Sequence, residues 1–465
     1  TKTGLIPDED SGNVMVSLNA KPGSSSFNTK KLMERLNKEI VKIPGIEYSS
    51  GVSGFSFDGS GPSMGMYFIS LNDWSKRKQA SLSIDTVMER INGLSADIPD
   101  AQINVMSSPM ISGFGMSNGI ELYLQDKAAG DIQAFKKVSN DFVKSLSHRK
   151  EIGQVYSAFR TDYPQYWVDI DAAQCEAAGV STNEVLQNLS DYYSGSYVSN
   201  FNRFSKLYRV IMQADPSYCV TEESLNHIYV RAGRDMAPLS RFVKLTKTYG
   251  PSELSRFNLF NSISITGMAA NGYSTGDALR AIKETAKIVL PQNYGYEYGG
   301  ITREESKTKS NVLIIFGICL LLMYLILCGL YGSFFIPFAI LLSVPCGLMG
   351  SFLFTYLMGM ENNIYMQTGL IMLIGLLSKT AILLTEYASA LRQKGYSLTM
   401  AAYCAAKVRL RPILMTVLTM VFGLLPMMVT HGVGANGNRS LASGAIGGIL
   451  IGTLALLFMV PSLFI

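Results

Sequence analysis

Hydrophobic and polar positions follow two different rhythms on either side of residue 310. From 311 onward apolar residues run in long blocks, and five of these could span the roughly 30 Å apolar core of a bilayer as helices. They fall at about 311–333, 337–358, 364–390, 412–430 and 441–465. Before 311 the periods are short. Asn13–Leu18 alternates like a strand, Thr29–Val41 has helical spacing, and Ile46–Val52 alternates again. A second cycle runs Met66–Leu71, Ser83–Leu94, Ala101–Met106, and a third runs Gly119–Leu124, Asp131–Ser145 and a strand near Gln154–Phe159. The last runs Ser262–Thr266, Thr275–Ile288, Tyr294–Tyr298. Each cycle reads as half of a split βαβ sandwich. Residues 163–255 break the series. Strand-rich, with Tyr, Asn and Ser turns, they read as an inserted domain.

Charge sharpens this division. Of 40 basic and 35 acidic residues, only Glu361, Lys379, Glu386, Arg392, Lys394, Lys407, Arg409, Arg411 and Arg439 lie beyond 310. That excludes both a single globular protein and a wholly membrane-embedded one. A soluble region precedes a membrane region. The net charge of +5 is small for 465 residues, and no basic run points to nucleic acid. With three histidines, no HExxH and no CxxC, no zinc or other metal site is expected. Cys175 and Cys219 lie in the soluble part, where they could pair in an oxidising compartment or stay as free thiols. No P-loop appears, so no nucleotide or other cofactor is expected. Gly115–Gly119 fits G-x-S-x-G, but that nucleophile needs a strand before it and a helix after, and here a strand follows.

Orientation follows from the basic residues. The connection 391–411 carries Arg392, Lys394, Lys407, Arg409 and Arg411 and no acid, which makes it cytoplasmic. Parity then puts residues 1–310 outside the cytoplasm. One charge is out of place. Lys379 lies at mid-depth in the third apolar block, where an ionised side chain costs several kcal/mol unless it is paired or lines a wet cavity. No acid in the chain shares its depth, since Glu386 is two turns nearer the cytoplasm. In the soluble part, Gly54–Gly61 sets Phe55 and Phe57 on a glycine-rich loop, an arrangement suited to an apolar binding site; the alternative is a plain hairpin tip. The chain opens on Thr1-Lys-Thr without a signal peptide and closes inside an apolar run, so it reads as an interior piece of a longer protein.

These motifs together resemble a known family. Leu5-Ile-Pro-Asp-Glu-Asp10, Val52–Gly61, Ser70-Leu-Asn-Asp-Trp74, Gly195-Ser-Tyr-Val198, Ser274-Thr-Gly-Asp-Ala278, Ile374–Ile382 and Val408–Thr416 resemble the C-terminal half of a resistance-nodulation-division multidrug efflux pump of the hydrophobe/amphiphile class. The resemblance implies an α+β periplasmic region of porter subdomains (repeated βαβ sandwiches) with a strand-rich docking domain, then an all-α bundle of five transmembrane helices. Residues 1–115 would be the first porter subdomain, 116–162 with 256–305 the second, 163–255 the funnel or docking domain, and 311–465 the helices. It implies a multi-pass protein of the cell inner membrane with residues 1–310 periplasmic. The activity implied is proton/drug antiport of small hydrophobic or amphiphilic substrates by a homotrimer, with a periplasmic adaptor and an outer-membrane channel protein as partners.

Carried over residue by residue, Lys379, Arg409 and Thr416 match the proton relay of this half. Phe55, Phe57, Phe68, Val52 and Met15 match the inner drug-pocket lining. Departures bear on substrate range: Asn104, Met106 and Ser108 stand where some pumps have Phe and Leu, Gly113 replaces an acid near the entrance, and Ser17 a common Met. The paired membrane aspartates of the family belong to the other half, which accounts for the orphaned Lys379. A related transporter for lipid, metal or protein would keep the lysine-bearing helix, though a metal exporter should show Met pairs or membrane acids in the pocket. A membrane-anchored binding module would need no mid-membrane charge. An enzyme would need reactive groups that the membrane half lacks.

Overall fold

Strand alternation at the start of the chain builds a helix-backed sheet. The structure, a computed structural model, describes residues 2–464 apart from 8, 57, 58, 110, 112, 114, 116–118, 220, 271, 309 and 310. Strands β1 (Asn13–Ala20), β2 (Ile46–Ser56), β3 (Gly59–Leu71) and β4 (Ala101–Ser107) form one antiparallel sheet in the order β2-β3-β1-β4, with helices α1 (Ser26–Ile40) and α2 (Ile84–Gly93) on one face. This is the β-α-β-β-α-β arrangement. Both helices start where a serine side chain caps them, Ser25 accepting from the Asn28 N–H and Ser83 from that of Thr86. Val14, Val16 and Leu18 of β1 point to the helices and pack with Met33, Leu36, Ile40, Val87 and Ile91. Tyr67 joins this core, its hydroxyl donating to the Met33 carbonyl at 2.5 Å. Burial, and secondarily the Glu34 carboxylate, push its phenol up to about 12.

The same topology recurs. β5 (Ile120–Asp126), α3 (Ile132–Ser147) and β6 (Ile152–Tyr156) come first, then the insertion. It comprises β7 (Tyr163–Ile170), α4 (Ala172–Ala177), α5 (Thr182–Tyr193), β8 (Ser196–Arg203), β9 (Lys206–Met212), β10 (Tyr229–Ala232), β11 (Asp235–Pro238) and β12 (Val243–Gly250). β13 (Ser255–Phe257), β14 (Phe260–Ala269), α6 (Thr275–Val289) and β15 (Tyr294–Tyr298) complete the second sheet. Its order is β6-β14-β5-β15, with β13 on the same edge of β14 as β6. Residues Arg160–Ser252 thus form a compact unit of their own, inserted between the second and third strands of this second copy. In that unit β7 pairs with β12 around a core that includes Cys175, Val185, Leu239 and Phe242. Cys175 and Cys219 are free thiols.

Phe142 of α3 is fully buried in the core of the second copy, in one cluster with Leu122, Ile265 and Ile282. Phe142→Ala should cost about 3–5 kcal/mol, because the cavity left by a ring in a packed core does not collapse. A thermal melt with no change in midpoint would contradict that packing.

The C-terminal part is helical: α7 (Gly300–Thr308), α8 (Asn311–Tyr331), α9 (Phe335–Leu341), α10 (Val344–Leu357), α11 (Ile364–Gln393), α12 (Leu398–Met428) and α13 (Ala435–Phe464). Two expectations change here. The block at 337–358 is not one helix. It divides into α9 and α10 at Leu342–Ser343, where Pro345 in the first turn of α10 has no N–H to continue the α9 ladder and the Ser343 hydroxyl donates to the Ile340 carbonyl at 2.7 Å. Four helices of the described residues, α8, α11, α12 and α13, are long and apolar enough to cross a membrane. Second, 391–411 is mostly helix rather than loop. The turn is only Lys394–Ser397, and Lys407, Arg409 and Arg411 ride on α12, whose N-terminus Ser397 caps through the Met400 N–H.

Helices α10 and α13 touch backbone to backbone through glycines. A Cβ on Gly447 would overlap that of Phe354, and one on Gly350 would stand 2.6 Å from the Ile451 Cβ. Such small-residue contacts replace the hydrophobic drive that lipid cannot supply. A strap of residues ahead of β1 ties the sheets to these helices. The Asn362 and Ile364 N–H groups donate to the carbonyls of Lys2 and Leu5 (2.8 and 3.1 Å), and that of Gly276, in the first turn of α6, to Thr3 (3.0 Å).

Candidate functional site

The first candidate region is the helix-free face of the first sheet. Since Val14, Val16 and Leu18 face the core, the pleat turns Met15 and Ser17 the other way. Register then brings neighbours onto that face: Met15 opposite Phe68 and Met106, Val52 opposite Met66, Ser17 opposite Asn104. Met15, Met66 and Met106 form a buried cluster, and Tyr156 of β6 packs against it. Asn104 and Ser17 are buried beside it, 3.5 Å apart between amide nitrogen and hydroxyl. Val52 and Phe68 remain 42% exposed, which leaves two apolar side chains free at the rim of the methionine cluster. Methionine is unbranched and polarizable, and methionine surfaces adapt to ligands of different shape.

The structure therefore gathers Met15, Val52 and Phe68 on one face. Phe55, 41% exposed, stands beyond a register shift at Gly54, whose φ of +90° suits glycine. The described residues of the expected glycine-rich loop over 54–61 are strand, as in the hairpin alternative: β2 continues to Ser56 and β3 begins at Gly59, with Phe55 opposite Ser60. Phe57 lies outside the described residues. Met66 was missed, although its spacing of two from Phe68 on a strand would have placed it. Tyr156 gave no local signal, since it comes from the other sheet.

The second region lies in the apolar helices. Lys379 is exposed on α11, where Cys319, Met323 and Ile326 of α8 border with Ser378 and Ile382 a hollow of about 520 Å³. Neighbouring hydroxyls are spent within the bundle: Ser378, Thr380 and Thr385 donate to the carbonyls four residues back. Among the described residues no carboxylate forms an ion pair with Lys379. The Arg409 guanidinium lies over the Tyr387 ring at 4.7 Å, with its Nε buried and unpartnered among the described residues. The Thr416 hydroxyl donates to the Ile413 carbonyl at 2.8 Å. Measured from the turn at Lys394–Ser397 along each helix, Arg409 stands about 17 Å up, Lys379 about 21 Å and Thr416 about 27 Å. The three occupy adjoining depths without bonding to one another. Groups of His, Cys, Asp and Glu able to hold a metal are absent among the described residues.

All of residues 1–465 match the model of the AcrB/AcrD/AcrF family. Relatives include the multidrug/solvent efflux pump membrane transporter MepB of Pseudomonas putida, 33% identical over the whole chain and 44% of its own length. Another is the multidrug resistance protein MdtF of Escherichia coli K12, 32% identical over the whole chain and 45% of its own length. A third, the solvent-resistant pump membrane transporter SrpB of Pseudomonas putida, is 32% identical over 99% of the chain. The chain spans less than half the length of these relatives. It belongs to the AcrB/AcrD/AcrF family of resistance-nodulation-division efflux transporters, corresponding to their C-terminal half.

Proposed function

We propose that this chain is the C-terminal half of an inner-membrane antiporter that exchanges protons for hydrophobic or amphiphilic compounds, multidrug and solvent substrates among them. The observation that carries the reading is Lys379, an exposed cation midway along an apolar helix with no ion pair among the described residues; its partner carboxylates, in this reading, belong to the other half of the pump. In the assembled pump those acids hold the ammonium until a proton neutralises them, and the released helix moves. Arg409 and Thr416 flank the path along α12. In this reading α9 with α10 makes a fifth crossing, and residues 1–310 are periplasmic. The first sheet and the second are then the two porter subdomains, and the inserted unit docks a partner. The pump works as a homotrimer with a periplasmic adaptor and an outer-membrane channel, without cofactor or enzymatic step.

The substrate face is tested by Phe68→Ala and Phe57→Ala in the full-length pump. Losing an aromatic contact worth about 1–3 kcal/mol should lower resistance to bulky apolar compounds at least fivefold at equal protein level. Unchanged susceptibility to every compound of a chemically varied panel would remove the face from the transport path.

A further inference from the structure

A second cavity, of about 710 Å³, opens where α12 ends and α13 begins. Its walls come from Glu9, Asp10, the stretch Asp73–Ser75 with Arg77 and Lys78, the turn at His431, and Arg439 near the start of α13. Much of its charge is already satisfied. The Arg77 guanidinium donates to both oxygens of Asp10 at 2.8 and 3.1 Å, with its side chain 2% exposed. The Trp74 indole N–H donates to the Asp10 carbonyl at 3.1 Å, and its ring stands over Gly432. Arg439 donates through Nη2 to the Thr430 carbonyl at 2.6 Å and faces His431 Nδ1 at 3.1 Å.

Two groups are left over. Glu9 is 7% exposed, and its Oε1 accepts the Gly437 N–H at 2.9 Å, while its Oε2 has no partner among the described residues. The Nε of Arg439 is likewise buried and unpartnered. A buried carboxylate oxygen without a donor is costly, and so is a buried guanidinium N–H without an acceptor. Neither atom has accessible surface as the side chains stand, so a ligand with a hydrogen-bearing cation and an anion would satisfy both once Glu9 and Arg439 turn toward the cavity. The cavity adjoins the ends of two helices able to cross a bilayer, a level where Trp, Lys and Arg meet lipid head groups. Its volume falls within the range of small-molecule sites.

We propose that this cavity holds the head group of a phosphoethanolamine lipid, its ammonium on Glu9 and its phosphate on Arg439 and the exposed Lys78. An ethanolamine ammonium has N–H groups for Oε2. A choline head group has none, and a glycerol head group has no cation. The site is independent of the transport reading, since it uses neither Lys379 nor the methionine face.

The test is lipid retention by the full-length protein, purified, stripped of lipid and re-exposed to phosphatidylethanolamine, phosphatidylcholine or phosphatidylglycerol, read by native mass spectrometry. Phosphatidylethanolamine should be retained at least fivefold over the other two and should raise the melting midpoint most. Glu9→Gln keeps an oxygen for the Gly437 N–H but loses the charge, and should abolish the preference, as should Arg439→Gln. Equal retention of the three lipids, or parental preference in both variants, would overturn the site. So would displacement of the lipid by soluble glycerophosphoethanolamine, which would reassign the cavity to a free solute. Lys379→Ala should retain phosphatidylethanolamine as the parent does, which separates this outcome from any failure of the antiport reading.

Discussion

Lys379→Ala in the full-length pump should reduce drug export to the level of a strain without the pump, while leaving a folded protein in the membrane. Folding survives because alanine removes a charge that costs about 2.5–3.5 kcal/mol at the centre of an apolar helix. Export fails because the partner acids, with no ammonium to hold, take up protons and stay neutral. Lys379→Arg should not rescue it, since a planar fork does not substitute for a compact point charge. The measurements are drug susceptibility, protein level in the membrane fraction, and drug-dependent proton movement in vesicles. Proton-coupled export near the parent level in Lys379→Ala would make the lysine merely structural.

Gly447→Leu should prevent the helical bundle from assembling. The new Cβ would overlap that of Phe354 on α10 and lie 2.8 Å from the Gly350 carbonyl oxygen, and neither is the far end of a flexible side chain. Relief requires the two helix axes to separate, at a cost of about 3 kcal/mol or more. Gly423 on α12 is the internal control, because nothing lies within 4 Å of the position its Cβ would take. Gly423→Ala should be tolerated. Gel filtration after detergent extraction distinguishes aggregated from intact protein, and a monodisperse Gly447→Leu protein of parental stability would contradict the close α10–α13 contact.

The strand-rich half was legible because strand alternation and helical spacing both bear on burial. Val14, Val16 and Leu18 set against Met15 and Ser17 already specify which face of β1 meets the helices. The membrane half was less legible because hydropathy counts apolar residues, whereas helices end for backbone reasons. Pro345 lies within an apolar stretch and divides it. Conversely, α12 runs back through Lys407 and Arg409 to Leu398 because Ala401, Ala402, Ala405 and Ala406 are strong helix formers whatever the neighbouring charge. Lys379 stood out at once, since charge in an apolar block needs no context. Tyr156 against the methionine cluster, and Glu9 against Gly437, could not be read. Those pairs join distant parts of the chain, and no local period encodes them.

The insertion in the second sheet also has a consequence during synthesis. Strand β14 lies between β5 and β6, so neither of those can find its neighbour until residues Phe260–Ala269 have left the ribosome. Roughly 100 residues separate Tyr156 from Phe260, and at about 5–20 residues per second they take about 5–20 s to emerge. For that interval Leu122, Leu124 and Phe142, all destined for the core, wait on a half-built sheet with two open edges. The first sheet has no such delay, because its second and third strands follow each other closely in sequence and pair directly, Ser56 opposite Gly59. Nascent chains stalled with residues 160–255 only partly emerged should therefore recruit chaperones far more than chains stalled when Ser107 has just left the ribosome.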